Sequence, residues 1–331
     1  MEKRYKTPDN TVNLIISIDV EEDMPDWKAQ DQTTVRNIAG ISRLQDLFDE
    51  YGIKPTYLLT SPIAEDKDSV SVFLPILKSN RCEIGSHLHP WTTPPVNAAE
   101  KDKLMLPSNL DERILREKLI NLTGSIRDSF GMAPVSYRAG RFGFNKSSAL
   151  ILRDLGYMVD TSITPLRSWE NINGPNFLYD RIEPHFLNEK YGDDSLSELV
   201  EVPVSIALTK NLTGLLKRLY LTLPKVTRIR GLLSKDYLNI IDMIWLYPVL
   251  YTAEEMTRLS DILVGRGNRV LNMFFHSNEI KVGESIYHKT ERDIAGFYDK
   301  LKYYFDYIFS RYRVQSRTLK EYRNYFIGER T

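Results

Sequence analysis

VNLIISIDVEE, residues 12–22, is a mostly apolar run that ends in acidic residues. An apolar run of this length is typical of a strand that is buried on both faces of a parallel sheet. The acidic residues begin with Asp19, directly after the run. When parallel strands curl into a barrel, the residues that carry chemistry collect at the carboxyl ends of the strands. The stretch therefore predicts a buried first strand whose end opens onto a functional site.

Strand and helix patterns alternate about seven times along the chain. Three of the helical patterns end at a glycine, at Gly52, Gly131 and Gly156, as helices commonly do. The predicted strands are 12–18, 55–60, 82–85, 135–138, 157–163, 198–206 and 269–275, and the predicted helices are 40–51, 72–77, 111–130, 147–155, 252–264 and 291–312. This order favours an α/β fold, a distorted (β/α) barrel of about seven strands, over a sandwich or a helical bundle.

Two segments interrupt this alternation. Residues 164–194 are rich in Pro, Asn, Gly and aromatic side chains, which is typical of a long loop over the carboxyl-terminal face of a barrel. Residues 212–251 are interpreted as a helical insertion. Barrels of helix and strand routinely exceed about 250 residues as one unit. We therefore predict a single catalytic domain over residues 1–331, with the insertion at 212–251.

The charge and apolar content exclude some classes of protein. Lys plus Arg equals Asp plus Glu at 44 each, so no overall field draws the chain to nucleic acid, and no nucleic-acid partner is predicted. No run approaches the roughly 18 apolar residues that a membrane span requires, and the first apolar run is too short for a signal peptide. The single cysteine, Cys82, is predicted to be buried at a strand. These features favour a cytoplasmic protein, whose oligomeric state the sequence leaves open.

Two of the five histidines lie close together, as His87 and His89 in the segment GSHLHPW, residues 85–91. On an extended segment, residues i and i+2 point to the same side, so both imidazoles can face one cation while Leu88 faces the core. Imidazole is a preferred ligand of zinc and related transition metals. The simpler alternative is that one histidine is a core residue and the other a loop residue.

A metal site at this histidine pair needs a third ligand. Asp19 and Glu21 have the same i, i+2 relation at the end of the first strand and can supply two carboxylates on one side. One carboxylate and two imidazoles leave a position for water, whose pKa a bound metal lowers to roughly 7. The second carboxylate is then able to accept a proton. Whether Glu21 or Glu22 is the ligand is left open, and the alternative is a solvated acidic turn.

The order of these features resembles the polysaccharide deacetylase superfamily, carbohydrate esterase family 4 with the NodB homology domain. The resemblance spans nearly the whole chain and implies that Asp19 is the catalytic base and that Glu21, His87 and His89 bind the metal. The usual spacing of the histidines in that family is i, i+4, and this chain has Trp91 at that place.

The resemblance also implies three further catalytic roles. Arg138 matches the arginine that pairs with the base Asp19, although the proline that often follows it in the family is absent. His276, at the end of an apolar strand, matches the general acid. Asp160, a charge inside an apolar strand pattern, matches the aspartate that orients His276. Trp91, Arg141 and Glu279 lie near these segments and are candidate substrate contacts.

These roles describe hydrolysis of an acyl group by metal-activated water, with an Asp base and a His acid. The predicted cofactor is one divalent metal ion, with Zn²⁺ expected, and the predicted substrate is an amino sugar or glycan precursor that loses an N-acetyl or other N-acyl group in surface-polysaccharide biosynthesis. Three alternatives remain: hydrolysis of a non-sugar amide, a glycan-binding domain that has lost catalysis, and glycosidic cleavage by carboxylates without a metal.

Overall fold

Strand β1 (Val12–Val20) is buried along its whole length and lies at the centre of the molecule. The computed structural model describes residues 11–26, 32–96, 106–212, 214, 218, 220, 221 and 242–329. Strand β1 pairs in parallel with β10 (Val270–His276) on one side and with β2 (Thr56–Leu59) on the other. The apolar run of residues 12–18 is therefore an interior strand of the sheet that is buried on both faces, as predicted.

Seven strands form one continuous parallel sheet in the order β10-β1-β2-β3-β4-β5-β7. The strands not yet defined are β3 (Glu83–Leu88), β4 (Ser136–Ala139), β5 (Val159–Asp160) and β7 (Val200–Glu201). A short strand β6 (His185–Phe186) pairs antiparallel with β7 at the edge of the sheet. The sheet curls, with helices around it, into the distorted (β/α) barrel that the alternation predicts.

The helices lie between the strands, as the apolar spacing indicates. They are α1 (Ile41–Glu50), α2 (Ser61–Glu65), α3 (Lys67–Lys78), α4 (Glu112–Phe130), α5 (Lys146–Asp154), α6 (Leu187–Tyr191), α7 (Ala253–Gly265), α8 (Glu291–Arg311) and α9 (Leu319–Gly328). Helix α7 begins at a capping box in which Thr252 and Glu255 each bond the other's backbone N–H, at the threonine predicted as its cap. The predicted loop 164–194 contains both β6 and α6, so it is more ordered than its composition indicates.

A hairpin of β8 (Ile206–Leu208) and β9 (Met243–Trp245) corrects two sequence predictions. The predicted strand 198–206 is interrupted between β7 and β8. Within the predicted helical insertion 212–251, residues 243–245 are a strand, while 213, 215–217, 219 and 222–241 lie outside the described residues. The hairpin borders the open side of the barrel, since Ser205 N donates to the Asn272 carbonyl at 3.0 Å and Phe274 N donates to the Leu246 carbonyl at 3.2 Å.

The prediction that helix 291–312 closes the chain is wrong, because strand β11 (Val314–Ser316) and α9 follow it. Strand β11 pairs in parallel with the start of β1. Helix α9 begins at a capping box formed by Thr318 and Glu321, and it packs its buried residue Leu319 beneath the sheet. The sequence carries this signal, an S/T-x-x-E pattern before apolar residues.

Two predictions about burial and membranes can be compared with the described residues. Cys82 is 5% exposed and burial raises the pKa of its thiol to about 12, as befits the predicted buried cysteine. Within the described ranges, none of the helices combines the length and apolar character needed to cross a membrane.

Candidate active site

Most of the predicted site residues lie at the carboxyl ends of β1, β3, β4 and β10. Asp19 is the register partner of His276, and His87 is the register partner of Arg138. A cavity of about 70 Å³ lies at this edge of the sheet. Its lining residues are Asp19, Glu21, Met24, His87, His89, Trp91, Ala139, Arg141, Phe142 and His276.

Glu21, His87 and His89 form a buried donor set at the base of the cavity. One ligand atom from each lies within 4.8 Å of the other two, close enough for the group to hold a metal ion. The Glu21 Oε2 atom is 3.7 Å from His87 Nε2 and 3.2 Å from His89 Nε2. The i, i+2 spacing of the histidines thus brings both imidazoles to one point, with Leu88 buried in the core.

Hydrogen bonds behind the donor set fix which nitrogen each imidazole presents. His87 Nδ1 donates to the Arg138 carbonyl at 3.0 Å, and His89 Nδ1 donates to Glu22 Oε1 at 2.9 Å. The Nε2 atoms of both rings therefore face Glu21. A metal-binding histidine typically has its other N–H held by a carbonyl or carboxylate in this way. Asn278 Nδ2 holds the remaining oxygen of Glu21, Oε1, at 3.0 Å.

The structure distinguishes the two acidic candidates for the metal ligand. Glu22 points away from the cavity, where its Oε1 accepts from Trp91 Nε1 at 2.9 Å as well as from His89. Its Oε2 accepts from Thr60 Oγ1 at 3.1 Å. Burial raises the pKa of Glu22, but the neighbouring His89 and these hydrogen bonds outweigh burial and leave the pKa lowered. Glu21 thus faces the cavity, and Glu22 supports His89 from behind.

The Glu22→Gln variant is expected to lower the affinity of the protein for Zn²⁺ by about 10- to 100-fold, because a neutral amide polarises the His89 imidazole less than a carboxylate does. Competition against a zinc-binding dye measures this affinity. Glu65→Gln is the matched control, since the Glu65 carboxylate accepts from Ser125 at the protein surface. Equal zinc affinity in wild type and Glu22→Gln would contradict the supporting role of Glu22.

The electrostatics of the two histidines are those of a cation site. Burial lowers the pKa of His87 to about 4, so this imidazole stays neutral. Burial also acts to lower the pKa of His89, but the Glu22 and Glu21 carboxylates outweigh it and raise the pKa to about 10. The buried Glu21 and Glu22 carboxylates thus favour positive charge beside His89. A divalent cation between Glu21 and the two imidazoles would supply that charge. The donor set therefore fits a bound metal.

Asp19 lies beside the donor set and is held by a buried guanidinium. Arg138 is fully buried, and its Nη1 donates to Asp19 Oδ1 at 2.7 Å. Burial raises the pKa of the Asp19 carboxyl, but Arg138, His87 and His276 together outweigh burial and leave the pKa below its usual value. The other oxygen, Asp19 Oδ2, lies 3.9 Å from His87 Nε2 and 3.8 Å from His276 Nε2. The structure thus places an ionised carboxylate between the donor set and His276.

His276 lies across the cavity from the donor set, and its partner differs from the predicted one. His276 Nδ1 lies 3.0 Å from Glu279 Oε1, and His276 N donates to Glu279 Oε2 at 3.0 Å. Glu279 is completely buried, so it is not the predicted substrate contact. Burial lowers the pKa of His276, but Glu279 and Glu21 outweigh it and raise the pKa to about 9.

Asp160 does not orient His276, which corrects the prediction. Its oxygens accept from Ser162 Oγ at 2.6 Å and from Ser162 N at 3.2 Å. Asp160 is the register partner of Glu201 on β7, so the two side chains share one face of the sheet. Burial and the neighbouring Asp160 raise the pKa of Glu201 well above its usual value. Asp160 is thus part of a buried pair of acidic groups beside the barrel wall.

A left-handed turn follows β4. Arg141 has φ 52° and Phe142 has φ 58°, and both line the cavity. A Cβ on Gly140 would lie 2.4 Å from the Leu88 carbonyl oxygen, so only glycine permits this close approach to the end of β3. The turn thus places Arg141 on the wall of the same cavity as His87 and His89.

The predicted substrate contacts Trp91 and Arg141 both line the cavity. Trp91 is 3% exposed and stacks on His89, with ring centroids 4.1 Å apart. The Arg141 guanidinium lies 5.6 Å from the centroid of the Trp91 ring. Because it is enclosed in this way, Trp91 is a wall of the cavity rather than an open platform for a sugar ring.

Three residues around the site carry no signal in a strand or helix pattern. Asn278 holds Glu21, as described above. Tyr247, which follows β9, donates to Glu279 through a short hydrogen bond. Lys118 on α4 is completely buried, and its Nζ donates to the carbonyls of Pro90 and Thr93 at 2.9 Å each. The lysine ties down the segment that follows His89.

Comparisons with known proteins agree with this architecture. By sequence, no family model and no curated protein matches the chain. A candidate polysaccharide deacetylase from Mycobacterium smegmatis superposes with a TM-score of 0.57 and 13% identity over 98% of this chain and 93% of that chain. A candidate polysaccharide deacetylase from Pseudomonas aeruginosa superposes with a TM-score of 0.54 and 13% identity, over 96% of this chain and 91% of that chain.

A third similar structure, the Puue allantoinase, gives a TM-score of 0.55 and 13% identity over 95% of this chain and 90% of that chain. All three matches extend over nearly the whole of both chains. At this level of identity the likeness concerns the fold. The chain therefore has the distorted (β/α) barrel fold of the polysaccharide deacetylases, as the order of its motifs predicts.

Proposed function

We propose that the protein is a metal-dependent hydrolase that removes an N-acetyl or other small N-acyl group from an amino sugar. The observation that carries this proposal is the convergence of Glu21 Oε2 with the Nε2 atoms of His87 and His89, next to Asp19. A donor set beside an ionised carboxylate, with a protonated imidazole opposite, contains the groups that metal-assisted hydrolysis requires.

Each group of the chain has a defined part in this reaction. Glu21, His87 and His89 would hold a divalent cation, for which we propose Zn²⁺. Bound there, it would lower the pKa of water to roughly 7 and polarise the acyl carbonyl. Asp19 Oδ2 accepts the proton of the attacking water, and His276 Nε2 delivers a proton to the departing amine. No covalent intermediate on the chain is required.

The cavity limits the size of the acyl group. Its volume of about 70 Å³ holds only a few atoms beyond a cation and a water. Met24, Trp91, Ala139 and Phe142 supply apolar wall, which suits the methyl of an acetyl group. Phe142 is itself supported by Trp169, whose ring packs nearly parallel at 5.6 Å. Long acyl chains are therefore expected to be poor substrates.

The likeness in fold to polysaccharide deacetylases supports the sugar part of the proposal, with a glycan precursor of surface-polysaccharide biosynthesis as the substrate. The likeness to an allantoinase at nearly the same TM-score keeps a second candidate, hydrolysis of a non-sugar amide. The cytoplasmic location and the lack of a nucleic-acid partner stay predictions.

Acetate release tests the proposal. We expect protein loaded with Zn²⁺ to release acetate from N-acetylglucosamine oligomers or sugar-nucleotide precursors, and chelation to lower the rate at least about tenfold, with recovery on adding Zn²⁺ back. Elemental analysis of the purified protein gives the metal content. Activity on these amides that a chelator leaves unchanged would refute metal dependence, and activity on allantoin alone would favour the second candidate.

The His87→Ala variant separates the donor set from adventitious binding of metal. We expect it to lose bound metal, because it removes one of the two imidazoles. His185→Ala is the control, since His185 lies at the barrel edge and its Nδ1 bonds the Glu183 carbonyl. Full metal occupancy in His87→Ala would place the metal elsewhere.

A further inference from the structure

We propose that Glu279 and Tyr247 are positioning residues that hold His276 with its Nε2 directed into the cavity. This inference deepens the proposed function, on which it rests. It assigns to Glu279 and Tyr247 the support of the proton donor, a role that the predicted family pattern gives to Asp160. Neither residue reaches the cavity itself, so both act through His276.

The contacts of Glu279 leave His276 one orientation. Glu279 Oε1 accepts from His276 Nδ1, and Glu279 Oε2 accepts from the backbone N of the same histidine. These two bonds join Glu279, the third residue of a short 3-10 helix, Ser277–Ile280, to His276, which caps the start of that helix. The Glu279 carbonyl in turn accepts from His288 Nδ1. Because Nδ1–H is taken up by Glu279, only Nε2 faces the cavity, 3.8 Å from Asp19 Oδ2.

Tyr247 fixes Glu279 from the opposite side. Its hydroxyl donates to Glu279 Oε1 and lies 3.4 Å from His276 Nδ1. Its ring stacks on Phe274, with centroids 4.5 Å apart and an interplanar angle of 28°. A hydrogen bond from a neutral donor orients a buried carboxylate while preserving its charge. The tyrosine therefore holds the Glu279 carboxylate in the place where it meets His276.

The position of Tyr247 explains what the β8–β9 hairpin contributes to the site. Tyr247 follows β9 by two residues, and the intervening Leu246 bonds both Ser205 and Phe274 through its backbone. The hairpin is thereby attached to β10 at Phe274, two residues before His276. The residue Tyr247, just after β9, is thus in direct contact with both Glu279 and His276.

Charges on every neighbouring element bear on His276. The carboxylates of Glu279, of Asp19 on β1 and of Glu21 directly after β1 favour its protonated form, and Tyr247 contributes a neutral hydroxyl. Glu279 accepts the hydrogen bond of Nδ1 and is completely buried outside the cavity lining. Removal of its charge therefore alters the imidazole without altering the donor set.

Comparison of an amide with an activated ester tests the inference. A departing amine needs a proton, whereas 4-nitrophenolate leaves without one. We expect Glu279→Gln to lower kcat on an N-acetyl amide about tenfold or more, and Tyr247→Phe several-fold, with turnover of 4-nitrophenyl acetate within about twofold of wild type. Glu284→Gln and Tyr251→Phe are matched controls, because Glu284 pairs with Arg36 and Tyr251 donates to the Met243 carbonyl.

A second measurement does not depend on activity. We expect the ¹⁵N resonances of the His276 imidazole in the zinc-loaded protein to titrate about 1 to 3 pH units lower in Glu279→Gln than in wild type. An unchanged titration, or equal losses on amide and ester, overturns the inference. A wild type that hydrolyses neither substrate refutes the proposed function instead, and the titration still decides whether Glu279 governs His276.

Discussion

Replacing Asp19 by asparagine is expected to lower turnover of an N-acetyl substrate by about 10²- to 10⁴-fold, the usual contribution of a general base. The Asp19 carboxylate is ionised by its contact with Arg138, and its Oδ2 is close to both His87 and His276. An asparagine has the same shape but accepts no proton. Steady-state kinetics on the amide, with elemental analysis of the same sample, measure the loss and the metal content together.

The matched control for this variant is Asp23→Asn in the same acidic segment. Asp23 accepts from Thr34 Oγ1 at 2.7 Å and from Arg36 N at 2.8 Å, away from the cavity. We expect Asp23→Asn to lower stability but to preserve turnover per folded molecule. Near wild-type turnover in Asp19→Asn at full metal content would show that another group removes the proton.

Most strands of the main sheet and the common orientation of His87 and His89 follow from local rules, which is why the sequence was sufficient to predict them. The i, i+2 relation is a property of any extended backbone, so His87 and His89 had to face one side once their segment was a strand end. The burial of β1 followed in the same way from its apolar run. Such features depend on a few consecutive residues.

Two of the supporting contacts could not be predicted because they join residues far apart in the chain. Glu22 faces His89 across 67 positions, and Tyr247 reaches Glu279 from a hairpin that the pattern did not indicate. The family pattern assigned the orientation of His276 to Asp160, whereas Glu279, only three residues away, makes that contact. The direction in which a buried carboxylate points is decided by the packing of several elements, and no single segment encodes it.

The unusual spacing of the histidines has a structural explanation in the same contacts. With Trp91 in place of a histidine at i+4, the second imidazole comes from His89 on the strand end itself. Trp91 then covers one face of His89 and donates to Glu22, the group that holds His89 Nδ1. The tryptophan thus fixes His89, which we propose as the ligand in place of the one expected at position 91.

Replacing Arg138 by methionine is expected to destabilise the metal-free protein by about 3 to 5 kcal/mol, because it leaves the buried Asp19 carboxylate without its counter-ion. Arg138 also donates to Ser17 Oγ at 2.6 Å and to the Thr161 carbonyl at 3.0 Å, so several buried acceptors lose a partner. Urea unfolding in the presence of a chelator measures the change, since a bound cation would offset the unpaired carboxylate.

The double variant Arg138→Met, Asp19→Asn decides whether charge is the cause. In wild type, Asp19→Asn breaks the Arg138–Asp19 ion pair and is expected to destabilise the protein. In the Arg138→Met background, the same change removes an uncompensated buried charge and is expected to stabilise the protein. A reversal of sign between the two backgrounds identifies the ion pair as the source of the coupling. If Asp19→Asn destabilises both backgrounds equally, the loss in Arg138→Met comes from packing and from the Ser17 and Thr161 contacts, and Arg138 does not hold Asp19 in its ionised form.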